Sequence, residues 1–238
     1  MMSSSSLKYE GILPVSKPIA KTSFSLVSAL RKLTQIRTIG HAGTLDPFAE
    51  GVMVLLIGKP YTRLSDRFLN DDKAYRATLH LGITTDSYDR DGQITAENSY
   101  IPTLSEIQQA LLKFQGKIFQ IPPMFSAKKV QGKKLYELAR KGITIERKAV
   151  PVDVRIELID YCYPHLEIQV ECSKGTYIRS LAHDIGIELI CGAHLSSLIR
   201  TRSGKFLLED CCDGARLMES GYDWVRFIKK DTYYAFNS

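Results

Sequence analysis

The sequence predicts an α/β (α+β) fold in which neighbouring strands pair antiparallel. Apolar and polar residues alternate along residues 74–81 and again along residues 154–158 and 166–172, which is the pattern of half-buried strands. The last two runs flank Tyr163-Pro164 and indicate a hairpin. Apolar residues recur at helical spacing between these strands, and the sequence contains no internal repeat and no linker long enough to separate two independent domains.

The first seventy residues predict an edge strand, two helices and one buried segment. Residues 11–18 form the edge strand and end in a turn, and Thr22 or Ser23 caps the first helix. Residues 52–57 are a buried strand or the start of a helix, because so short an apolar run fits both. The apolar faces of the two helices are Leu26, Val27, Leu30 and Leu33, and Tyr61, Leu64 and Phe68.

Helices alternate with strands in the rest of the chain. Thr103 and Glu106 form a capping box for one helix, and a short helix covers residues 135–140. A longer helix begins soon after Gly175. A last strand near Phe206 and a terminal helix complete the predicted elements.

Composition and charge are those of a soluble globular protein with a polyanionic partner. The 238 residues are 44% hydrophobic and 24% charged, with a net charge of +6 and a pI near 9.0. Residues 126–148 carry eight basic and two acidic side chains, so this segment alone supplies +6 and the rest of the chain sums to zero. A solvated helix face is the alternative explanation of the basic run.

The cysteines and the N-terminus predict a cytoplasmic protein. The five cysteines are odd in number and never spaced C-x-x-C, which suits reduced thiols better than disulfides or a zinc site. The longest apolar run, residues 52–57, is too short to cross a bilayer. No hydrophobic core of a signal peptide follows Met1-Met2 and the four serines.

One carboxylate, Asp46, lies in a turn of glycines and a proline, GHAGTLDPFAEG at residues 40–51. Glycines permit backbone angles that are closed to other residues and let a ligand come close. Pro47 biases Asp46 away from the helical region, so we expect the carboxylate to be presented by a turn. An ordinary Asp-Pro turn without any function is the alternative.

The sequence lacks the common motifs for nucleotides, cofactors and metals. It contains no Walker loop, no G-x-G-x-x-G after a strand, no H-E-x-x-H and no H-x-E with P-C-x-x-C. The five histidines show no metal-ligand spacing. These absences disfavour dinucleotide enzymes and zinc deaminases, and predict chemistry by side chains alone, with no cofactor and no metal.

Six motifs follow one another along the chain. Residues 40–52 read G-H-x-G-T-L-D-P-x-A-x-G-V, and the others are G-I-L-x-V-x-K-P-x-x-x-T-S at 11–23, K-x-Y at 73–75, Q-x-P-P-x-F-S-A-x-K-x-x-G-x-x-x-Y-x-x-A-R at 120–140, S-K-G-T-Y-I-R at 173–179 and G-A-H-L-x-x-L-x-R-T-x-x-G at 192–204. In this order they resemble the TruB family of pseudouridine synthases over about residues 11–210. Ser16 and Ala20 stand where the family usually has Asp and Gly.

The resemblance implies a pseudouridine synthase fold, a mixed and largely antiparallel sheet flanked by helices. It divides the chain into a disordered tail at 1–10, a catalytic domain at 11–210 with a basic RNA-binding insertion at about 122–150, and a short extension at 211–238 without a full PUA-type module. The implied activity is isomerisation of one uridine in the tRNA T-loop, position 55. The enzyme breaks the N-glycosidic bond, rotates the base and rejoins it through carbon.

The resemblance also implies the catalytic pair. Asp46 is the catalytic carboxylate and acts as a nucleophile or as a base. Arg179 is its cationic partner, which keeps the carboxylate ionised in a water-poor pocket. Without the resemblance, Arg179 would be interpreted as a surface charge on a helix.

Four further residues are implied to bind the substrate. Tyr75 is the platform for the flipped base, and His41 takes up space in the disrupted RNA loop. Tyr177 and Leu198 line the uracil pocket. As isolated residues, Tyr75, Tyr177 and Leu198 would be assigned to the core and His41 to a turn in which it bonds its own backbone.

The basic insertion is implied to hold tRNA through its phosphates, by Lys128, Lys129, Lys133 and Lys134. The expected partner is the T-arm stem-loop of tRNA, bound by a monomer with no membrane contact. Two alternatives are an RNA-binding or tRNA-chaperone protein without chemistry and, more weakly, a ribosome-associated basic domain. The first alternative has no need of a carboxylate that faces phosphates, and the second would not need Tyr75 and Arg179 to converge on Asp46, as they should in the enzyme.

Overall fold

The computed structural model describes residues 8–126, 128–130 and 132–230, without the side chains of residues 129, 130, 133 and 134. Most of the predicted N-terminal tail therefore lies outside the described residues. The chain forms two compact units: unit 1 is Met1–Tyr75 with Ile199–Ser238, and unit 2 is Arg76–Leu198. No helix in the described ranges is long and apolar enough to span a membrane.

Unit 1 starts with a strand, a helix and two strands that are followed by short helices. Its elements are β1 (Gly11–Lys17), α1 (Ser23–Thr34), β2 (Ile39–Ala42), β3 (Glu50–Ile57), α2 (Lys59–Thr62), α3 (Ser65–Asn70) and the start of β4 (Lys73–Leu81). Thr22 caps α1 by accepting a hydrogen bond from the Ser25 amide at 3.1 Å, as the sequence predicts.

Unit 2 carries most of the remaining strands and two longer helices. It continues β4 and adds β5 (Ile83–Thr85), β6 (Ile94–Glu97), α4 (Leu104–Leu112), β7 (Gly116–Gln120), β8 (Lys129–Val130), β9 (Lys133–Lys134), α5 (Leu135–Ala139), β10 (Val150–Cys162), β11 (His165–Cys172), α6 (Ile178–Glu188) and the start of β12 (Ala193–Ser203). The chain returns to unit 1 along β12, and β13 (Phe206–Leu207) and β14 (Cys212–Asp213) follow there.

The sheet of unit 1 is centred on β3, in the order β14-β1-β3-β12. β3 runs antiparallel to β1 and β2, and parallel to β12 where Ile199 and Arg200 pair with Glu50 and Gly51. Residues 52–57 are a strand, and all of them are at most 1% exposed, because both faces of β3 are covered. β3 contributes to a core cluster of Ile12, Ala42, Val52, Val54, Leu56, Tyr61, Phe68 and Phe206.

One prediction for unit 1 is wrong. β1 is not an edge strand, because β14 pairs parallel with Val15 and Ser16 on the side away from β3. No local pattern reveals this pairing with the last part of the chain. The described residues after β14 contain a 3₁₀ turn at Val225–Phe227 and no α-helix, and residues 231–238, at the end of the chain where a terminal helix was predicted, lie outside the described residues.

In unit 2 the strand order is β4-β11-β10-β7, with β12 on the other side of β4. β10 and β11 form the predicted hairpin, from Val154↔Cys172 to Cys162↔His165. The alternation along β4 is also confirmed, since Ala77, Leu79 and Leu81 are fully buried. The capping box of α4 is present: Thr103 accepts from the Glu106 amide, and the Glu106 carboxylate accepts from the Thr103 amide at 2.7 Å.

Gly51, the glycine of β3, allows the neighbouring strand β12 to approach closely in the sheet of unit 1. Its φ is +106°, and a Cβ built there would lie 2.3 Å from the carbonyl oxygen of Arg200, on the backbone of the neighbouring strand. We expect Gly51→Ala to lower the free energy of unfolding by more than about 3 kcal/mol, because both the backbone angle and the strand spacing must change.

The matched control is Gly221→Ala, since Gly221 also has a positive φ, +84°, but a methyl group added there would meet open space. It should cost only about 1 kcal/mol. Urea titration of the two variants measures the difference, and equal midpoints would contradict the role given to the close approach of β12.

Candidate active site

Asp46 lies in a four-residue turn between β2 and β3. Its carbonyl accepts a hydrogen bond from the Ala49 amide at 3.1 Å, with Pro47 as the second residue of the turn. The Asp46 side chain is half-buried, and Pro47 is exposed. The carboxylate is therefore carried by a closed turn rather than by a helix.

Side chains from β1 and α1 hold the backbone on both sides of Asp46. The Ser23 hydroxyl accepts from the Leu45 amide and donates to the Leu45 carbonyl, both at 3.0 Å. The ammonium of Lys17 donates to the Pro47 carbonyl at 3.3 Å and to two more main-chain carbonyls. Lys17 is fully buried, and burial lowers its pKa to about 8 against the opposing effect of the Asp46 carboxylate.

His41 and Tyr75 belong to the same unit. His41 lies on β2 and is half-buried, and its Nδ1 has no hydrogen-bond partner among the described residues. Burial, and next the charge of Arg200, lower the pKa of His41 from its ordinary value and so favour the neutral imidazole. Tyr75 is 8% exposed on the buried face of β4, the position that a core tyrosine would also take.

Arg179 lies on α6 in unit 2 and is 4% exposed, so it is not a surface charge. Its Nη1 is 3.3 Å from the Asp89 carboxylate and donates to the Ser87 carbonyl at 3.0 Å. Its Nη2 donates to the Phe125 carbonyl at 2.7 Å. Asp89 is itself fixed, since it accepts from the Ser87 hydroxyl at 2.6 Å. The guanidinium is thus held at three points in a fixed orientation.

Tyr177 is the residue that caps the start of α6, and its backbone is fixed by Gln120 at the end of β7. The Gln120 side chain accepts from the Tyr177 amide at 2.7 Å and donates to the Tyr177 carbonyl at 3.0 Å. Gln120 is 1% exposed, so these bonds are protected from water. Leu198 lies on β12 and is 5% exposed.

The basic segment forms a short hairpin and a helix. β8 and β9 pair antiparallel with Lys129 opposite Lys134, and the Lys128 carbonyl accepts from the Leu135 amide at 2.9 Å. The Lys128 side chain is half-buried, while the side chains of Lys129, Lys133 and Lys134 lie outside the described part. The backbone thus brings the four predicted RNA contacts into one hairpin.

Two family models match the chain: the TruB family pseudouridylate synthase N-terminal domain at residues 31–178 and the tRNA pseudouridylate synthase B C-terminal domain at residues 179–230. A protein of Protochlamydia amoebophila named tRNA pseudouridine synthase B is 61% identical over 208 residues, 87% of this chain and 79% of that protein. The protein of the same name from Chlamydia pneumoniae is 58% identical over 220 residues, which are 92% and 94% of the two chains.

The chain belongs to the TruB family of pseudouridine synthases.

Solved structures agree with this assignment. A structure titled as a Cbf5-Nop10-Gar1 complex matches 93% of this TruB-family chain with a TM-score of 0.70 and 28% identity. One titled as an H/ACA RNP bound to a substrate RNA containing 2'-deoxyuridine matches 94% with a TM-score of 0.66 and 26% identity. The chain spans about 60% of the length of these two chains.

These matches confirm the family, the pseudouridine synthase fold and the enzyme class that the six motifs predict. The roles of individual site residues stay predictions, as does the convergence of Tyr75 and Arg179 on Asp46. The predicted catalytic domain at 11–210 and the extension at 211–238 also stay predictions. The family models divide this TruB-family chain at residue 179, whereas its compact units divide at residues 76 and 199.

Sequence reasoning missed three residues that fix parts of the site. Lys17 and Gln120 lie inside TruB motifs, but both act by hydrogen bonding to main-chain atoms. No residue pattern in the sequence indicates such bonds. Asp89 lies in a polar loop outside every motif, and only its ion pair with Arg179 reveals it. A buried arginine needs an acidic partner, which is the one signal that could have directed a search for it.

Proposed function

We propose that this enzyme converts the T-loop uridine of tRNA at position 55 to pseudouridine, with Asp46 as the catalytic carboxylate and without a cofactor. Membership of the TruB family supports the first part of this proposal, the isomerisation of uridine in tRNA. The match of the whole Asp46 turn to the family motif is the observation that supports the catalytic assignment. The T-loop position follows from the resemblance of all six motifs.

The proposed reaction needs little more than a placed carboxylate and a pocket for an unstacked base. The target uridine is stacked in its loop and must swing out, which costs a few kcal/mol. We propose that this cost is offset by contacts of the flipped base with Tyr75, Tyr177 and Leu198, and by His41, which fills the vacated space in the RNA loop. Asp46 then acts on the ring or on the sugar, and the positive charge of Arg179 keeps the Asp46 carboxylate ionised.

We further propose that the enzyme is a cytoplasmic monomer that binds the T-arm. Its five cysteines are all free thiols, which supports a reducing compartment. The isolated T-arm stem-loop should then be a sufficient substrate.

The test is to map pseudouridine in two RNAs, an unmodified tRNA transcript and its T-arm stem-loop. Both should carry the product at position 55, and a U55→C transcript should carry none. Product at another position in the U55→C transcript would contradict the proposed substrate while leaving the enzyme class intact.

The basic hairpin should supply affinity but little sequence selectivity. Changing Lys128, Lys129, Lys133 and Lys134 to Glu should weaken tRNA binding by roughly 100-fold or more at low salt and flatten the dependence of log Kd on log salt concentration. The matched control changes the same four residues to Arg, which keeps the charge and should keep the slope. Binding of the Glu variant that is unchanged across a salt titration would refute this role.

A further inference from the structure

Arg200 is a buried charge in unit 1 that lies in the last of the six motifs and to which no role has been assigned so far. Its side chain is 1% exposed, and it lies against β3, whose residues 52–57 are themselves at most 1% exposed. Arg200 lies on β12 and pairs with Gly51 in β3, two residues after Ala49 closes the four-residue turn of Asp46. Moving a guanidinium out of water costs several kcal/mol unless its donors are used, so its bonds show what it does.

The guanidinium of Arg200 binds the main chain on both sides of the Asp46 turn. Its Nε donates to the Val52 carbonyl at 2.6 Å, on the strand that leaves the turn. Its Nη2 and Nη1 donate to the carbonyls of Gly43 and Thr44 at 3.3 and 3.5 Å, on the segment that enters it. One rigid planar group therefore connects the two ends of the loop that carries Asp46.

Backbone and charge support the same interpretation. Gly51 has a φ of +106° and no side chain, and this lets β12 approach close enough for the contact. The charge of Arg200 also reaches the groups around the turn. It contributes, after burial, to lowering the pKa of His41, and it acts in the same direction on the pKa of Lys17, where the carboxylates of Asp46 and Glu50 oppose it.

We propose that Arg200 is a positioning residue for the isomerisation, one that holds the loop of residues 43–46 so that the Asp46 carboxylate meets the substrate in one fixed place. The loop has two other ties, the Ser23 bonds to Leu45 and the Lys17 bond to Pro47. Arg200 differs from them in joining the entering segment to the leaving strand. The rate of a chemical step depends steeply on where the reacting groups lie, and a displacement of about 1 Å can lower this rate roughly 100-fold.

The two informative variants are Arg200→Gln and Arg200→Lys. The glutamine amide nitrogen takes the place of Nε, so Gln can keep the bond to Val52, but it lacks the two Nη groups that hold the loop. Lys keeps the charge and reaches further. We expect the single-turnover rate at saturating tRNA to fall by about 100-fold for Gln and about 10-fold for Lys, with the Kd for tRNA within about twofold of wild type.

Two controls separate positioning from general damage. Arg202→Lys makes the same change two residues further along β12, where the side chain bonds the Gly204 carbonyl, and should leave the rate unchanged. Hydrogen exchange of the Ala49 amide, which closes the turn on Asp46, should speed up in Arg200→Gln while exchange of the amides in β1 stays as in wild type.

A wild-type rate for Arg200→Gln would overturn the proposal, and so would a slower rate with unchanged exchange at Ala49. If Arg200→Gln does not fold, Arg200→Lys carries the same two readouts. The inference rests on Asp46 as the catalytic residue. An active Asp46→Asn enzyme would remove that foundation, whereas an inactive Asp46→Asn beside a fully active Arg200→Gln would refute the positioning role alone.

Discussion

Asp46→Asn is expected to abolish pseudouridine formation, with a fall in the single-turnover rate of about 10⁴-fold or more. The amide is a poor nucleophile and a poor base, and it is almost the same size as the carboxylate. The turn around position 46 is closed by main-chain atoms and by Ser23, so the substitution leaves its hydrogen bonds in place. We therefore expect tRNA affinity to stay near the wild-type value, and stability to fall only through the loss of the negative charge that acts on the buried Lys17 ammonium.

The control for this variant is Asp66→Asn, which makes the same change at an exposed position in the first turn of α3. It should retain full activity. A loss of tRNA binding by Asp46→Asn, parallel to the loss of product, would assign Asp46 to binding and contradict its role as the catalytic carboxylate.

Asp89→Ala should be among the most destabilising single changes in unit 2, at about 3–5 kcal/mol. It removes the carboxylate that lies 3.3 Å from Arg179, and both side chains are at most 8% exposed. Taking away one partner of a buried ion pair costs far more than the pair itself contributes. Activity should also fall, because Arg179 loses the group that fixes its orientation.

The matched control is Glu167→Ala, which removes the partner of Arg76 from a pair on the outside of unit 2, where the Arg76 side chain is 53% exposed. An exposed pair contributes less than about 1 kcal/mol. Urea unfolding monitored by circular dichroism measures both changes. A similar, small loss in the two variants would show that the Arg179 guanidinium has enough other partners to do without Asp89.

The fold was predictable wherever an element is specified by residues that are close together in the sequence. The alternation along β4, the capping box at Thr103 and the β10–β11 hairpin each depend on neighbours in sequence, and each is present. β14 beside β1 and the parallel contact of β12 with β3 depend on residues about 150 to 200 positions apart. Propensity carries no information on such pairing.

The candidate site divides in the same way. Asp46 is visible because glycines and a proline shape its turn, and turn chemistry is local. Arg179 is visible only through the family motif, since an arginine on a helix is by itself ordinary. Asp89 and Arg200 act through distant partners, the first through Arg179 and the second through carbonyls about 150 residues earlier in the chain. Their roles follow from coordinates alone.

The central claim is that one fixed carboxylate rearranges a uracil that the protein has already bound. The most direct test is the release of tritium from C5 of uridine-labelled tRNA, with enough enzyme to bind all of the RNA. Wild-type enzyme should release the label from the T-loop uridine completely, and Asp46→Asn should release none while the complex stays intact. Release by the Asn variant at the wild-type rate would contradict the account.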